Sequence, residues 1–336
     1  MRMIRICEDL ILKKLKLFSA IFLLVALVSS AVFSLLYFTK KDVNAKVVTT
    51  IFPLYDICRE IMGSDDDIML LQDNGADMHS YTATASDIAA ISNAELFLYV
   101  GGESDEWISD VMRSIDNVNL KTLSLMELES ITKLEESTDN ILEDEHHDHE
   151  HDHDHEEIVY DEHIWLSIKN VINMIDPIVE SLIKVFPEKQ ELFRTNAEEY
   201  LSKLISLEND YSSSINNASQ TLIIADRFPF RYLVNDYNLK SYAIFSGCSA
   251  ESEASTETIA TLIDKINANA VEYILVLETS DQSIARSCIS NHNCREGVSI
   301  LVINSCQAIS QSTMQTSSYL DIMAKNLDVL KKAVGV

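Results

Sequence analysis

Residues 187–216 read PEKQELFRTNAEEYLSKLISLENDYSSSIN, and the fold turns on this stretch. Its apolar residues, Phe193, Ala197, Tyr200, Leu201, Leu204, Leu207, Tyr211 and Ile215, recur at helical spacing, which puts them on one face of a helix. Pro187 suits the first turn, where the N–H it lacks has no helical partner anyway. No glycine interrupts the run. The spacing predicts one helix of roughly 28 residues, about 42 Å long at 1.5 Å per residue.

On both sides of this helix the pattern changes to short β-branched runs alternating with helical periods. Strands are expected at 47–52, 68–71, 96–100 and 120–123 before it, and at 221–225, 242–245, 273–277 and 300–303 after it. Helices such as 55–62, 85–93 and 256–267 fall between them. Parallel strands need crossovers of that kind. The predicted class is therefore α/β, with two lobes joined by one long rigid helix. Each lobe is a four-stranded, mainly parallel sheet flanked by helices. The expected divisions are 1–45 for a leader, 46–186 for the first lobe, 187–217 for the link and 218–336 for the second lobe.

With 336 residues, 47% of them apolar, the chain can bury two sizeable cores. The formal charge is −27, although the first 45 residues carry seven Lys or Arg against three acids. So acidic a body repels phosphates, which excludes nucleic acid as a partner and disfavours anionic substrates. Cations are the ligands this charge favours.

The leader points to export. Arg2, Arg5, Lys13, Lys14 and Lys16 precede an uncharged apolar stretch at 17–38, closed by Lys40 and Lys41. That is long enough to span a bilayer. A shorter signal with a small-residue cleavage site around 29–31 fits as well. In either case the basic flank keeps the N-terminus cytoplasmic and places everything after about Asn44 outside, anchored or released. No cysteine directly follows the apolar stretch to carry a lipid. The exported part keeps Cys58, Cys248, Cys288, Cys294 and Cys306, an odd number without a CxxC pair, so at least one thiol is expected free. For Cys288 and Cys294, a local disulfide or burial explains the pair better than a metal cluster with His292, since only three donors are in reach.

One low-complexity tract, about 134–157, reads as an exposed loop inserted before the last helix of the first lobe. Six of the nine histidines stand in it, at His146, His147, His149, His151, His153 and His155, separated almost entirely by Asp and Glu. Alternating imidazoles and carboxylates collect divalent ions loosely, in several arrangements.

His79 and His163 stand apart from that tract, each where a strand or loop meets a helix: Ser86 and Asp87 open the helix after His79, and Ser167 the helix after His163. Four segments around them, VVTTIFPLYDICREIMG, ADMHSYTATASDIAAISNAELFLYVGG, DEHIWLSIKN and SYLDIMAKNLDVLKKA, make the exported part resemble the ZnuA-like zinc and manganese solute-binding proteins of bacterial ABC importers. The likeness is to the zinc branch, in which a histidine-rich loop precedes the second histidine. It implies two lobes on a rigid helix, one metal ion in the cleft between them, an importer permease as partner and a monomeric receptor rather than an enzyme.

Carried over by position, the resemblance makes His79 and His163 metal ligands. In the second lobe the family's next ligand falls on Arg227, which cannot bind a cation. The adjacent Asp226 takes over if the strand end is shifted by one residue. A final family Asp falls on Asn304, a weak zinc donor. Cys248 and Glu278 are further donors in that lobe, and Glu251 and Glu253 match family acids that equally well form a structural ion pair. Two imidazoles favour Zn2+ over Mn2+, although the set can hold either. Binding is expected to weaken as pH falls through about 6.5. A surface zinc buffer or adhesin is the nearest alternative. A zinc hydrolase is the more distant one, since there is no HExxH and only Glu162 lies beside a histidine.

Overall fold

The computed structural model describes residues 44–73, 75, 78–142, 158–249 and 253–336. The apolar stretch 17–38, the histidines from His146 to His155, and Glu251 lie outside the described residues. Among the described residues no helix is long and apolar enough to cross a membrane.

The first sheet is built from β1 (Val47–Thr49), β2 (Ile68–Leu70), β3 (Leu96–Tyr99) and β4 (Lys121–Ser124). All pairs are parallel and the order is β2-β1-β3-β4. β1 stops at Thr49, earlier than its β-branched run suggests, because α1 (Phe52–Met62) begins directly after it with Pro53 in its first turn. Gly63 ends that helix in the left-handed region, φ 71°, and its N–H reaches Arg59 O. α2 (Ala85–Asn93), α3 (Trp107–Ser114) and α4 (Ile168–Val185) complete the lobe.

The link is a 3-10 turn, Pro187–Lys189, leading into α5 (Gln190–Ile215), 26 residues long. Of its predicted apolar face, all but Leu201 is buried. Each large side chain on that face contributes about 1.5–3 kcal/mol by leaving water. β5 (Thr221–Phe228), α6 (Arg231–Asp236), β6 (Lys240–Ser246), α7 (Thr256–Ala268), β7 (Tyr273–Leu277), α8 (Ser283–Ser290) and β8 (Ser299–Ile303) follow. This sheet repeats the first, parallel in the order β6-β5-β7-β8. α9 (Gln311–Thr316) and α10 (Tyr319–Val334) close the chain.

One apolar core runs from Val47 to Val334 through both lobes, while separate smaller cores fill the outer face of each sheet. α5 packs on α1 and α4 from one lobe and on α10 from the other, and α10 touches α1. At its start α10 is tied to the first lobe: Tyr319 donates its N–H to Asp56 at 2.7 Å and its hydroxyl to Trp165 O at 2.7 Å. A shared core with such ties leaves little room for the lobes to swing.

The acidic tract departs from the reading as a loop from about 134. Residues 134–136 pair with 159–161 through Glu136 N–H to Val159 O and Asp161 N–H to Leu134 O, both 2.9 Å. Residues 140–142 then run beside β6, with Leu142 N–H on Ala243 O at 2.9 Å. Only Ile141 and Leu142 mark this strap in the sequence, and they pack against cores.

The five cysteines among the described residues are free thiols, and all except Cys248 are buried. Burial, rather than a disulfide, accounts for Cys288 and Cys294.

Candidate metal centre

His79 sits on a 3-10 turn, Met78–Ser80, whose Met78 is buried. Just beyond it, Thr84 rather than Ser86 caps α2: Thr84 Oγ1 accepts Asp87 N–H at 3.2 Å and Asp87 returns a carboxylate oxygen to Thr84 N–H at 2.9 Å. Tyr81 adds a 2.9 Å bond to the same carboxylate. The turn is thus locked on both sides. His79 Nδ1 faces Ser104 Oγ at 2.7 Å and Glu162 Oε1 at 3.1 Å. Ser104 gives both its hydroxyl and its N–H to Glu162. This approach needs Gly102, at φ 98°, since a Cβ there would stand 2.8 Å from Glu162 Oε2.

His163 is fully buried at the head of the 3-10 turn Ile164–Leu166, after which Ser167 caps α4 as the sequence indicated. Asp161 Oδ1 accepts both the His163 N–H at 2.8 Å and, at 2.9 Å, Nδ1. From the second lobe, Tyr232 donates its hydroxyl to Asp161 O at 2.6 Å.

These two anchors turn the ε nitrogens toward each other, 3.2 Å apart. Nitrogens bound at 2.0–2.1 Å to a tetrahedral zinc lie about 3.3–3.4 Å apart, so the pair already has the spacing of a coordination edge. Two bare lone pairs at that distance repel, and either a shared proton or a divalent cation relieves the repulsion. Each imidazole also has a carboxylate behind its δ nitrogen, the arrangement that fixes tautomer and ring orientation at metal sites. Burial pushes Glu162 up, but bonds from His79 and Ser104 and the nearby His163 outweigh it, so its carboxyl titrates below the usual range and stays ionised.

A cavity of about 730 Å³ opens on His79 and is lined from the second lobe by Asp226, Arg227, Cys248, Glu253 and Asp281, among others. β5 carries a bulge between Ile224 and Arg227, where its register against β6 slips by one residue. Asp226 lines the cavity, but its oxygens accept main-chain N–H groups from Arg227 at 2.9 Å and Leu277 at 3.2 Å. Glu278 is spent on Ser305, accepting its N–H and hydroxyl at 2.9 and 2.8 Å. Asn304 holds a turn, bonded to Cys306 N–H and to Asn326. Among the described residues, the donors that converge are His79, Glu162 and Cys248, with one ligand atom of each within 4.8 Å of the others. Burial, followed by the Glu136 and Glu162 carboxylates, pushes the Cys248 thiol far up, so in the metal-free chain it is neutral.

Gln307, which the sequence did not single out, also approaches the histidine pair. Its buried side-chain amide lies 3.3 Å from His79 Nε2. Cys306 takes φ 60°, rare for a residue with a Cβ, in the bend that brings it there. An amide nitrogen and oxygen exchange places by a flip, so Gln307 can also offer its oxygen to a cation.

Comparison with known proteins identifies the family. The chain is 29% identical over 296 residues to the zinc-binding lipoprotein AdcA of Streptococcus pneumoniae strain R6, covering 87% of this chain and 56% of that protein. The chain thus spans about half the length of the AdcA relatives it matches. It is 29% identical over 291 residues to the high-affinity zinc uptake system protein ZnuA of Bacillus subtilis strain 168, covering 86% of this chain and 88% of that one. Among solved structures, the Zn(II)-bound ZnuA-like domain of Streptococcus pneumoniae AdcA superposes with a TM-score of 0.68 at 26% identity, over 86% of this chain and 98% of the domain. The family model for ZnuA, described as zinc-uptake complex component A, periplasmic, matches residues 47–333, and the chain therefore belongs to the ZnuA family.

Proposed function

We propose that this chain is an extracytoplasmic zinc receptor that captures Zn2+ between its lobes and passes it to the permease of an ABC importer. The observation that carries this reading is the pair of ε nitrogens 3.2 Å apart, each backed by a carboxylate. His79 and His163 are the first-lobe ligands. Gln307 and Cys248 face them from the second lobe, and Asp226 lends negative potential to the approach. Imidazole donors and the zinc-binding relatives favour zinc over manganese. The stretch 17–38 holds the receptor at the membrane, and the histidines from His146 to His155 gather ions near the cleft. No bond-making step belongs to this site. Glu162, the carboxylate beside His163 that a hydrolase would need as its base, is committed to His79 and Ser104.

Deleting residues 143–157 separates a receptor from a surface buffer. The cut spares 140–142, which are part of the second sheet's edge. In a zinc titration against a competing chelator, the shortened chain is expected to keep one tight site and lose only weak ones. Loss of all tight binding would make the loop, and not the cleft, the working part.

Proton competition sets the pH dependence. Burial pulls the His163 pKa down, but the Asp161 carboxylate, with Glu162 and Glu136 beyond it, outweighs burial and leaves it above the ordinary 6.5. In the metal-free chain the charged ring contributes stability that is full below 6.5 and lost as pH rises through the raised value. Zinc needs the neutral ring, so its affinity runs the other way and falls as pH drops through that value. Calorimetric zinc titrations of the loop-deleted chain are expected to show the decline beginning above pH 6.5. An affinity unchanged down to about pH 5 would contradict proton release from this site.

A further inference from the structure

Among the described residues, one cysteine stands on the wall of the cleft. Cys58, Cys288, Cys294 and Cys306 are buried in cores, whereas Cys248 stands on the cavity wall. Its Sγ lies within 4.8 Å of a ring nitrogen of His79 and of a Glu162 oxygen, and 3.8 Å from Glu162 Oε1. The residue before it, Gly247, runs against the second imidazole: a Cβ there would meet His163 Cε1 at 3.0 Å and Phe228 O at 3.0 Å. The turn that carries the sulfur therefore packs on His163 and holds the thiol beside His79.

We infer that Cys248 closes on the bound ion as a thiolate donor, giving the cleft a mixed nitrogen and sulfur set that favours zinc and cadmium over manganese. The inference rests on the zinc-receptor reading and names a selectivity residue within it. Sulfur and nitrogen on a tetrahedral zinc, at about 2.3 and 2.0–2.1 Å, stand about 3.5–3.6 Å apart. The thiol already lies within 4.8 Å of a His79 ring nitrogen, so a side-chain adjustment about χ1 is the movement that closing on the ion calls for. As the metal–sulfur bond forms, the S–H bond breaks and its proton goes to solvent. Thiolate is the softest donor that a side chain offers here, and manganese gains least from it.

Cobalt makes the sulfur visible. The full chain, stripped of metal and given one equivalent of Co2+, is expected to show a near-ultraviolet thiolate-to-cobalt charge-transfer band along with visible ligand-field bands. In Cys248→Ser the charge-transfer band should vanish while the ligand-field bands and the one-to-one stoichiometry remain. Zinc and cadmium affinities should fall about tenfold or more, and manganese affinity much less. If the wild-type chain binds one cobalt with ligand-field bands but no thiolate band, the sulfur assignment fails and the receptor reading stands. If it binds neither cobalt nor zinc stoichiometrically, both fall. Should the serine variant misfold, the wild-type band decides, together with protection of Cys248 from iodoacetamide by one equivalent of zinc, mapped by mass spectrometry; alkylation unaffected by zinc would count against the thiolate.

Discussion

Replacing His163 with Ala is expected to weaken zinc binding about a hundred- to a thousandfold. Zinc held by four donors gains about 10–16 kcal/mol in small zinc domains, or about 2.5–4 kcal/mol for each donor. His163 should lie at the upper end of that range, because it is fully buried and its ring is fixed by Asp161 before any ion arrives. Chelator competition on the chain lacking 143–157 measures the loss without interference from the histidine-rich tract. The thermal midpoint of the metal-free variant is needed beside it, since the substitution also takes the ring Nδ1 from the buried Asp161 carboxylate and leaves it only the main-chain N–H of residue 163. The double variant His79→Ala, His163→Ala should keep no stoichiometric site. Retention of tight one-to-one binding in that variant would remove the basis for placing the ion between the two turns.

The two lobes and their link were readable because each rests on local pattern. The three- and four-residue spacing along 187–216 and the β-branched runs at 273–277 and 300–303 need no distant partner to be recognised. His79 and His163, which the structure brings to 3.2 Å from each other, stood out in the sequence by residue type and by the motifs around them. The second-lobe side of the cleft was not. Whether Asp226 meets an ion depends on the β5 bulge and on which N–H groups claim its carboxylate, and neither leaves a mark in the sequence. Gln307 arrives 228 positions after His79 through a bend at Cys306, and glutamine is not a residue type that advertises a metal. The strap at 140–142 was hidden for a different reason, since two apolar residues are too few to establish a period.

Trp165→Ala is expected to cost about 3–5 kcal/mol of folding stability, the range for truncating a large buried aromatic. The indole is about 1% exposed and belongs to the core that runs through both lobes. Its Nε1–H reaches Ser305 O at 2.9 Å in the second lobe, and its own carbonyl accepts the Tyr319 hydroxyl from α10 at 2.7 Å. It stands two residues after His163, their ring centroids 5.3 Å apart. The Ser305 it supports is also held by Glu278 and lies two residues before Gln307. Removing the indole should therefore loosen the wall that carries Gln307, as well as the fold. Urea unfolding of the metal-free chain reads the first effect, and zinc competition the second, which should be smaller than that of His163→Ala because no ligand is lost. Trp165→Phe separates volume from hydrogen bonding: it keeps most of the packing and leaves the Ser305 carbonyl without its donor, a loss of about 1–3 kcal/mol. A Trp165→Ala variant within about 1 kcal/mol of the parent would mean that the lobes do not depend on this contact, and the rigidity inferred from their shared core would have to come from α5 and α10 alone.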